Sequence, residues 1–364
     1  MPKIIKQNKP GKHRKAVVFC ADRNVVRFAQ FVADQIMQAE PTRDYDICIT
    51  TFDGALFDLD KIDPALRLCQ IEHQPFDMLR TDKRITSTAY ILLALPEIFQ
   101  TEYEQIVYLD TDVFLRSGKI SDLFAAASPK FAVSGVLDSI QWHSTPSARQ
   151  IDYWQALEIH NKPYLNTGVL VLDTKKCIAE GFFDGSMRAA VNLGQLKKDN
   201  PYILFLHDQS AINMHLKGNW APLSLRWNWQ TYQESSRLAK YFDPYIMHFV
   251  SKTKPWVAKP VGHTKAFRSD YMRYFDSVLN ETLGGENYQT QKVKENLSVS
   301  QWLRSELTLY KISTRLNVIN PLYYTGLRGL IPMYIQYKNI TKIEKAIVGD
   351  HPIWPREKMN KALG

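Results

Sequence analysis

The stretch Ile106-Val107-Tyr108-Leu109-Asp110-Thr111-Asp112-Val113-Phe114 constrains this chain more than any other. Its apolar opening, with β-branched members and no polar alternation, reads as a strand buried on both faces, as in a parallel sheet. The run ends on two carboxylates one residue apart. Side chains alternate along an extended backbone, so Asp110 and Asp112 project to the same side. Two hard anionic oxygens converging at a strand end are a seat for Mg²⁺ or Mn²⁺, which in turn grips phosphates. The plainer alternative is that one Asp caps a turn and the other is solvated, because acidic residues favour loops for local hydrogen-bonding reasons.

The segments before this strand alternate in period. Lys15–Cys20 is a compact apolar strand; Phe28, Val32 and Ile36 then recur at helical spacing. Between them lie Asp22 and Asn24, in the kind of strand-to-helix loop that forms the ligand crevice of α/β proteins. There the two side chains can bind a base or ribose, or Asp22 can simply cap the helix. Further strands are expected at Tyr45–Thr50 and near Leu68–Ile71, with a helix over Arg84–Leu93 and Pro96 near its end. This alternation predicts an α/β fold on a mostly parallel sheet.

After the acidic pair, Phe131–Val136 reads as a strand ending near Asp138. Residues 139–162, with Trp142, His143, Trp154 and His160, read as a long polar loop: an acceptor-side wall or a covered insertion. Tyr164–Asp173 carries Asn166-Thr167-Gly168 on a continuous apolar strand, where the glycine permits close approach of a ligand or another chain. A helix starts at His207-Asp208-Gln209, with Asp208 as its cap or as a functional carboxylate. Leu223–Asn228 and Tyr245–Phe249 read as short strands. His248, in the second, is a core residue unless the fold brings it beside Asp110 and Asp112.

The net charge of +9 suggests nucleic acid until it is partitioned. Residues 1–15 carry +6 and residues 301–364 another +6, which leaves −3 for the middle of the chain. No basic stripe of the kind a nucleic-acid groove needs runs through that middle, so no nucleic-acid partner is expected. Residues 1–14 read as a basic flexible arm, not an export signal. No run approaches the roughly 18 apolar residues a membrane span requires. Cys20, Cys48, Cys69 and Cys177 follow no metal spacing and read as reduced, buried thiols of a cytoplasmic protein.

Four motifs, in order, resemble those of the family 8 glycosyltransferases, the group of glycogenin and the bacterial lipooligosaccharide galactosyltransferases. Y-L-D-T-D-V-F is similar to the family's Y-L-D-x-D, and L-N-T-G-V-L-V-L-D to its F-N-x-G stretch. D-Q-S-A-I-N is similar to D-Q-D-x-L-N, and H-F-V-S-K-T-K-P-W to H-x-x-G-x-x-K-P-W. The resemblance covers about residues 15 to 262. It implies a GT-A-type nucleotide-sugar-binding domain, a UDP-sugar donor, a saccharide or glycolipid acceptor and retention of anomeric configuration. It also implies Mn²⁺ or Mg²⁺ held by Asp110, Asp112 and His248, with Lys254 on the donor diphosphate. Asp22 and Asn24 match positions that bind uracil and ribose. Asp138, Asn166 and Asp208 match positions lining the transferred sugar, and Gln209 the position beneath the anomeric carbon. An amide is a poor nucleophile, which suits a front-face mechanism over double displacement; the sequence leaves both open. Four departures stand out: Ser251 for Gly, Ser210 for the second Asp of D-Q-D, Tyr90 for an Arg that Lys83 or Arg84 could replace, and Val25 for an aromatic.

The expected domains are therefore the arm, a catalytic domain over residues 15–265, and a helical region over residues 266–364. In the last, Leu309, Ile312, Leu316 and Ile319 recur at helical spacing up to Pro321. Tyr323, Tyr324, Arg328, Tyr334, Tyr337 and Lys338 then mix aromatic and basic character, which suits either the headgroup level of an anionic bilayer or a helix packed on the catalytic domain. The expected activity is hexosyl transfer, from glucose or galactose donors, in bacterial lipopolysaccharide or other surface-glycan synthesis. Two rivals remain: a haloacid-dehalogenase-like phosphatase, which also ends a strand in D-x-D, and a catalytically silent sugar-binding protein.

Overall fold

The computed structural model describes residues 2–59, 62–79, 87–142, 153–159, 162–199, 207–250, 254–257, 262–281, 283 and 327–347. Strands β1 (Ile4–Gln7), β2 (Lys15–Cys20), β3 (Asp46–Thr51), β4 (Arg67–Ile71), β5 (Gln105–Leu109), β7 (Val133–Leu137), β8 (Leu165–Asp173) and β9 (Ala221–Pro222) form an eight-stranded sheet. Their order is β1-β4-β3-β2-β5-β8-β7-β9. Neighbours β4-β3, β3-β2, β2-β5 and β7-β9 are parallel, and the β1-β4, β5-β8 and β8-β7 pairs are antiparallel. The mostly parallel α/β sheet expected from the alternation is present. β6 (Val113–Leu115), β10 (Trp229–Gln230) and β11 (Ile246–His248) make a second, three-stranded sheet at the C-terminal end of β5.

The central strands are apolar on both faces because helices cover both. Ile106, Val107, Val169 and Leu170 are fully buried. An aromatic cluster joins the Val26–Ala39 helix to the Arg268–Ser277 helix: Phe31 and Tyr271 lie 4.1 Å apart, and Phe28 stacks on Trp256 at 4.1 Å with 21° between planes. Each such pair contributes about 0.5–1.5 kcal/mol beyond the area it buries. Helix Arg268–Ser277 thus sits in the same core as residues 28 and 31.

The reading of residues 1–14 as a flexible arm is also corrected. β1 pairs with β4, and the buried Arg67 guanidinium holds the segment by donating to Lys9 O at 3.1 Å and Gln7 Oε1 at 2.6 Å. A charge count cannot reveal an edge strand, because its exposed face is polar. Two local expectations change as well. Leu225–Asn228 is a 3₁₀ helix, not a strand, since Ser224 Oγ accepts from Arg226 N and starts a turn. Ser87–Ala94 is likewise a 3₁₀ helix, and Pro96 lies in the first turn of the short Leu95–Ile98 helix, where its missing N–H is harmless.

The Leu327–Ile347 helix docks on the Gln233–Phe242 helix. Ile340, Ile343 and Ile347 are buried, the Tyr337 ring lies 5.4 Å from that of Phe242, and Glu344 accepts from Ser224 Oγ at 2.8 Å and Leu225 N at 2.5 Å. Lys83, Arg84, His143, His160, Ser251, the Leu309–Ile319 pattern, Pro321, Tyr323, Tyr324 and the Arg328 side chain lie outside the described residues.

Candidate active site

The site lies where β5 runs out. Antiparallel pairing of β5 with β8 continues past Leu109 through Asp110 N–H, which donates to Gly168 O at 2.9 Å. On its other side β8 breaks register with β7: Gly135 faces Leu170, yet the next residue, Val136, faces Asn166. The residues left over on β8 include Thr167 and Gly168, whose N–H groups are freed for side chains. Such irregularities re-aim groups beside active sites.

Asp110, Asp112 and His248 converge there. One potential ligand atom from each lies within 4.8 Å of the others. His248 Nε2 is 3.5 Å from Asp110 Oδ2 and 3.1 Å from Asp112 Oδ1, although 135 residues separate His248 from Asp112 by number alone. β11 delivers the imidazole by pairing with β6, with His248 opposite Val113. Glycine at 168 makes room for it, since a Cβ there would fall 2.2 Å from His248 Cε1.

Burial and the neighbouring Asp112 charge raise the Asp110 carboxyl above its ordinary value. Burial pushes Asp112 the same way, but Lys254 and His248 outweigh it and hold this carboxyl below the usual carboxylate range. Lys254 donates to Asp112 Oδ2 and to Phe249 O, and Tyr108 OH donates to Asp110 Oδ1 at 2.7 Å. Asp112 Oδ1 is nevertheless buried without a hydrogen-bond partner. Two carboxylate oxygens and a ring nitrogen facing one another form a set of acceptors that lacks a donor. Hard anionic oxygens plus one imidazole fit Mn²⁺ or Mg²⁺.

Beside this cluster is a group of buried amides. Gln209 Oε1 accepts from Thr167 N at 3.2 Å and Asn166 Nδ2 at 3.0 Å, while Gln209 Nε2 donates to Asp138 Oδ2 at 3.1 Å. Asn166 Nδ2 also donates to Asp138 Oδ2 at 3.0 Å, and Asp138 Oδ1 accepts from Ile140 N at 2.9 Å. Burial raises the Asp138 carboxyl. Asp208 lies in the first turn of the His207–Leu216 helix, where Thr167 Oγ1 donates to it at 3.4 Å; burial and the Asp110 charge push it up to about 7.

The structure thus brings Asp110, Asp112, His248, Lys254, Asp138, Asn166, Asp208 and Gln209 to one end of the sheet. Asp22 and Asn24 sit in the loop after β2, with Asp22 Oδ1 accepting from Asn24 N at 2.8 Å. The helix N-cap is Val25, so Asp22 makes an Asx turn instead of capping the helix. Ser210, one position on from Gln209, points into the core and hydrogen bonds Tyr153 OH at 2.6 Å. Tyr90 is buried against His207 Nδ1 at 3.1 Å. Sequence reasoning missed Asn228, which contacts both His248 and Asn166; a polar residue between Trp227 and Trp229 was the one signal it offered.

The family model for glycosyl transferase family 8 matches residues 16–259. The chain belongs to glycosyltransferase family 8. As a family 8 enzyme it is a glycosyltransferase, and the phosphatase and silent-binder alternatives fall away. General stress protein A of Bacillus subtilis (strain 168) is 24% identical over 297 residues, spanning 74% of this chain and 95% of that protein. Glycosyltransferase GlyF of Streptococcus pneumoniae serotype 4 is 22% identical over 256 residues, spanning 67% of this chain and 57% of that protein. In fold, the chain is similar to the galactosyltransferase LgtC solved with donor and acceptor sugar analogs: TM-score 0.56 at 19% identity, covering 75% of this chain and 98% of that one. This family 8 enzyme therefore has the GT-A-type architecture.

Proposed function

We propose that this enzyme is a metal-dependent, retaining hexosyltransferase that moves glucose or galactose from a UDP-sugar to a saccharide or glycolipid acceptor in bacterial surface-glycan synthesis such as that of lipopolysaccharide. The observation that carries this reading is the convergence of Asp110, Asp112 and His248 within 4.8 Å, beside the Asn166–Gln209–Asp138 amide cluster. Those three residues would hold Mn²⁺ or Mg²⁺. When bound, the cation supplies positive charge to a departing diphosphate.

The chain's own residues do the rest. Lys254 adds a second positive charge at the same edge, and its pairing with Asp112 keeps its ammonium there before donor arrives. Charge developing on a leaving group is met by groups already in place, which lowers the barrier more than it tightens ground-state binding. Asn166, Asp138 and Asp208 offer fixed donors and acceptors to sugar hydroxyls. Gln209 is pinned by three hydrogen bonds, two of them into its carbonyl oxygen. Such an amide presents a rigid surface beneath the sugar and is a weak nucleophile, which favours a front-face route through an oxocarbenium-like state. Asp22 and Asn24, in the loop beyond β2, would contact uracil and ribose. The four free cysteines are all buried, which supports a reducing, cytoplasmic setting.

UDP release from UDP-glucose, UDP-galactose and UDP-N-acetylglucosamine, with and without Mn²⁺, tests the reading. Release from one hexose donor that chelator removes is expected. No release from any of the three, or release indifferent to chelator, would refute it.

The outer face of the Leu327–Ile347 helix supports a peripheral membrane contact. Tyr334 and Ile335 are 56% and 44% exposed, and Lys338 Nζ lies 4.9 Å from the Tyr334 ring centre. Among the described residues, no helix is long and apolar enough to cross a membrane. Exposed tyrosines with lysines suit the headgroup level of an anionic bilayer. Salt-sensitive cosedimentation with phosphatidylglycerol vesicles, lost in a Tyr334→Ser, Lys338→Glu variant, is expected; equal sedimentation of both proteins would end this part of the proposal.

A further inference from the structure

We infer that Asn228 is a positioning residue for the cation site: it dictates which nitrogen of His248 faces the carboxylates and ties that ring to the amides around Gln209. The inference rests on the cation site proposed above.

Gly168 N–H can only donate, so the Asn166 atom 3.0 Å from it is the carbonyl oxygen, Oδ1. That oxygen also receives Asn228 at 2.8 Å, so the Asn228 atom facing it is the amide nitrogen. The Asn228 oxygen is thereby turned to His248 Nδ1, at 2.8 Å. An oxygen there can only accept, so Nδ1 must carry a proton. In the neutral ring, Nε2 is then the lone-pair nitrogen, aimed at Asp110 Oδ2 and Asp112 Oδ1. Metal-binding histidines are oriented and made more basic by a partner of this kind at the remote nitrogen.

Asn228 has no solvent alternative, being fully buried, and it sits on the 3₁₀ turn immediately before β10. It therefore spends one end of its amide on the cation ligand and the other on Asn166, which in turn holds Gln209 and Asp138. Gly168 closes the loop: its N–H sets Asn166, its carbonyl accepts from Asp110 N–H, and its lack of a Cβ admits the His248 ring. The cation ligands and the amide cluster consequently share one rigid frame.

The test is Mn²⁺ affinity of the full chain, measured by electron paramagnetic resonance titration without nucleotide, alongside donor hydrolysis at saturating Mn²⁺. Asn228→Ala is expected to weaken Mn²⁺ binding by about 10- to 100-fold. Asn228→Asp still accepts from Nδ1–H but cannot donate to Asn166. It should keep Mn²⁺ affinity within about threefold of wild type while hydrolysing donor about tenfold more slowly or worse. If Asn228→Ala does not fold, Asn228→Ser is read in the same way. A residue that merely filled space would lower the melting temperature in both variants and leave the Mn²⁺ affinity of the folded protein unchanged, which would overturn the inference. His248→Ala separates the two levels. If it loses Mn²⁺ while Asn228→Ala does not, the cation site stands and the role of Asn228 falls. If His248→Ala binds Mn²⁺ like wild type, the cation site itself falls and the inference with it.

Discussion

The two ends of the central strands carry two buried polar clusters of opposite character. At the N-terminal end, Arg67 is 1% exposed and each of its three side-chain nitrogens finds an acceptor: Nε on Lys9 O, Nη1 on Tyr103 OH, Nη2 on Gln7 and Glu102. Tyr103 OH then donates to Asp46 Oδ2, which also takes the Lys12 and His13 N–H groups. At the C-terminal end, acceptors face acceptors, and Asp112 Oδ1 has no hydrogen-bond partner. The first cluster closes on itself and fastens β1 to the sheet. The second is complete only with something added. A buried group that lacks a partner costs stability, so a chain retains such an arrangement where it is used.

This contrast can be broken from either side. Asp112→Asn strikes the incomplete cluster, and transfer is expected to fall by about a thousandfold or more, as when a principal transition-state charge partner is removed. The variant should still fold, with a somewhat lower melting temperature, because Lys254 and His248 hold the Asp112 carboxyl below the usual carboxylate range and Asn takes that charge partner from Lys254. Near-normal turnover in that variant would show that the acceptors meet for some other reason. Arg67→Ala strikes the closed cluster. A loss of about 3 kcal/mol of stability is expected from stranded partners and lost packing, with turnover by the folded fraction unchanged. Denaturant titration paired with initial rates checks both, and a selective loss of rate would place Arg67 in the catalytic apparatus.

Glu97 sharpens the comparison as a buried carboxyl that belongs to neither hydrogen-bonded cluster. Burial pushes its carboxyl up to about 7, and its Oε2 has no hydrogen-bond partner. A carboxyl raised on folding binds its proton more tightly in the folded state than in the unfolded chain. Its contribution is thus most favourable below the unfolded value and is lost as pH rises from 4.5 to about 7. Glu97→Gln should therefore stabilise the protein at pH 8 by about 1–2 kcal/mol after allowing for solvent screening, with little change near pH 4. Equal effects at both pH values would show that packing, not ionisation, sets the response.

How much could be read without coordinates varies by element. β2, β3, β4, β5, β8 and β11 were legible because two-sided burial writes unbroken apolar runs. The Leu225–Asn228 turn was misread as a strand because short apolar runs look alike in either state. β1 was missed for a related reason: pairing at a sheet edge uses backbone groups, which leave no mark on side-chain pattern. Asp110 and Asp112 were legible as an acidic pair following an apolar strand, but β5 ends at Leu109 and residues 111–112 form a turn, so strand alternation is not what brings them together. His248 was not legible, since its value depends on β11 meeting β6, and Asn228 looked like any asparagine between tryptophans.

Residue order alone settled the mostly parallel α/β class and, through four motifs in sequence, the family; each of these depends on spacing of a few residues, which local geometry converts directly into direction. Only the tertiary structure could bring residues 110, 168, 228 and 248 to one point and decide which nitrogen of an imidazole faces two carboxylates. That outcome hangs on a single backbone N–H, at Gly168, whose direction is set by a register break between two strands and by nothing its neighbours in sequence could specify.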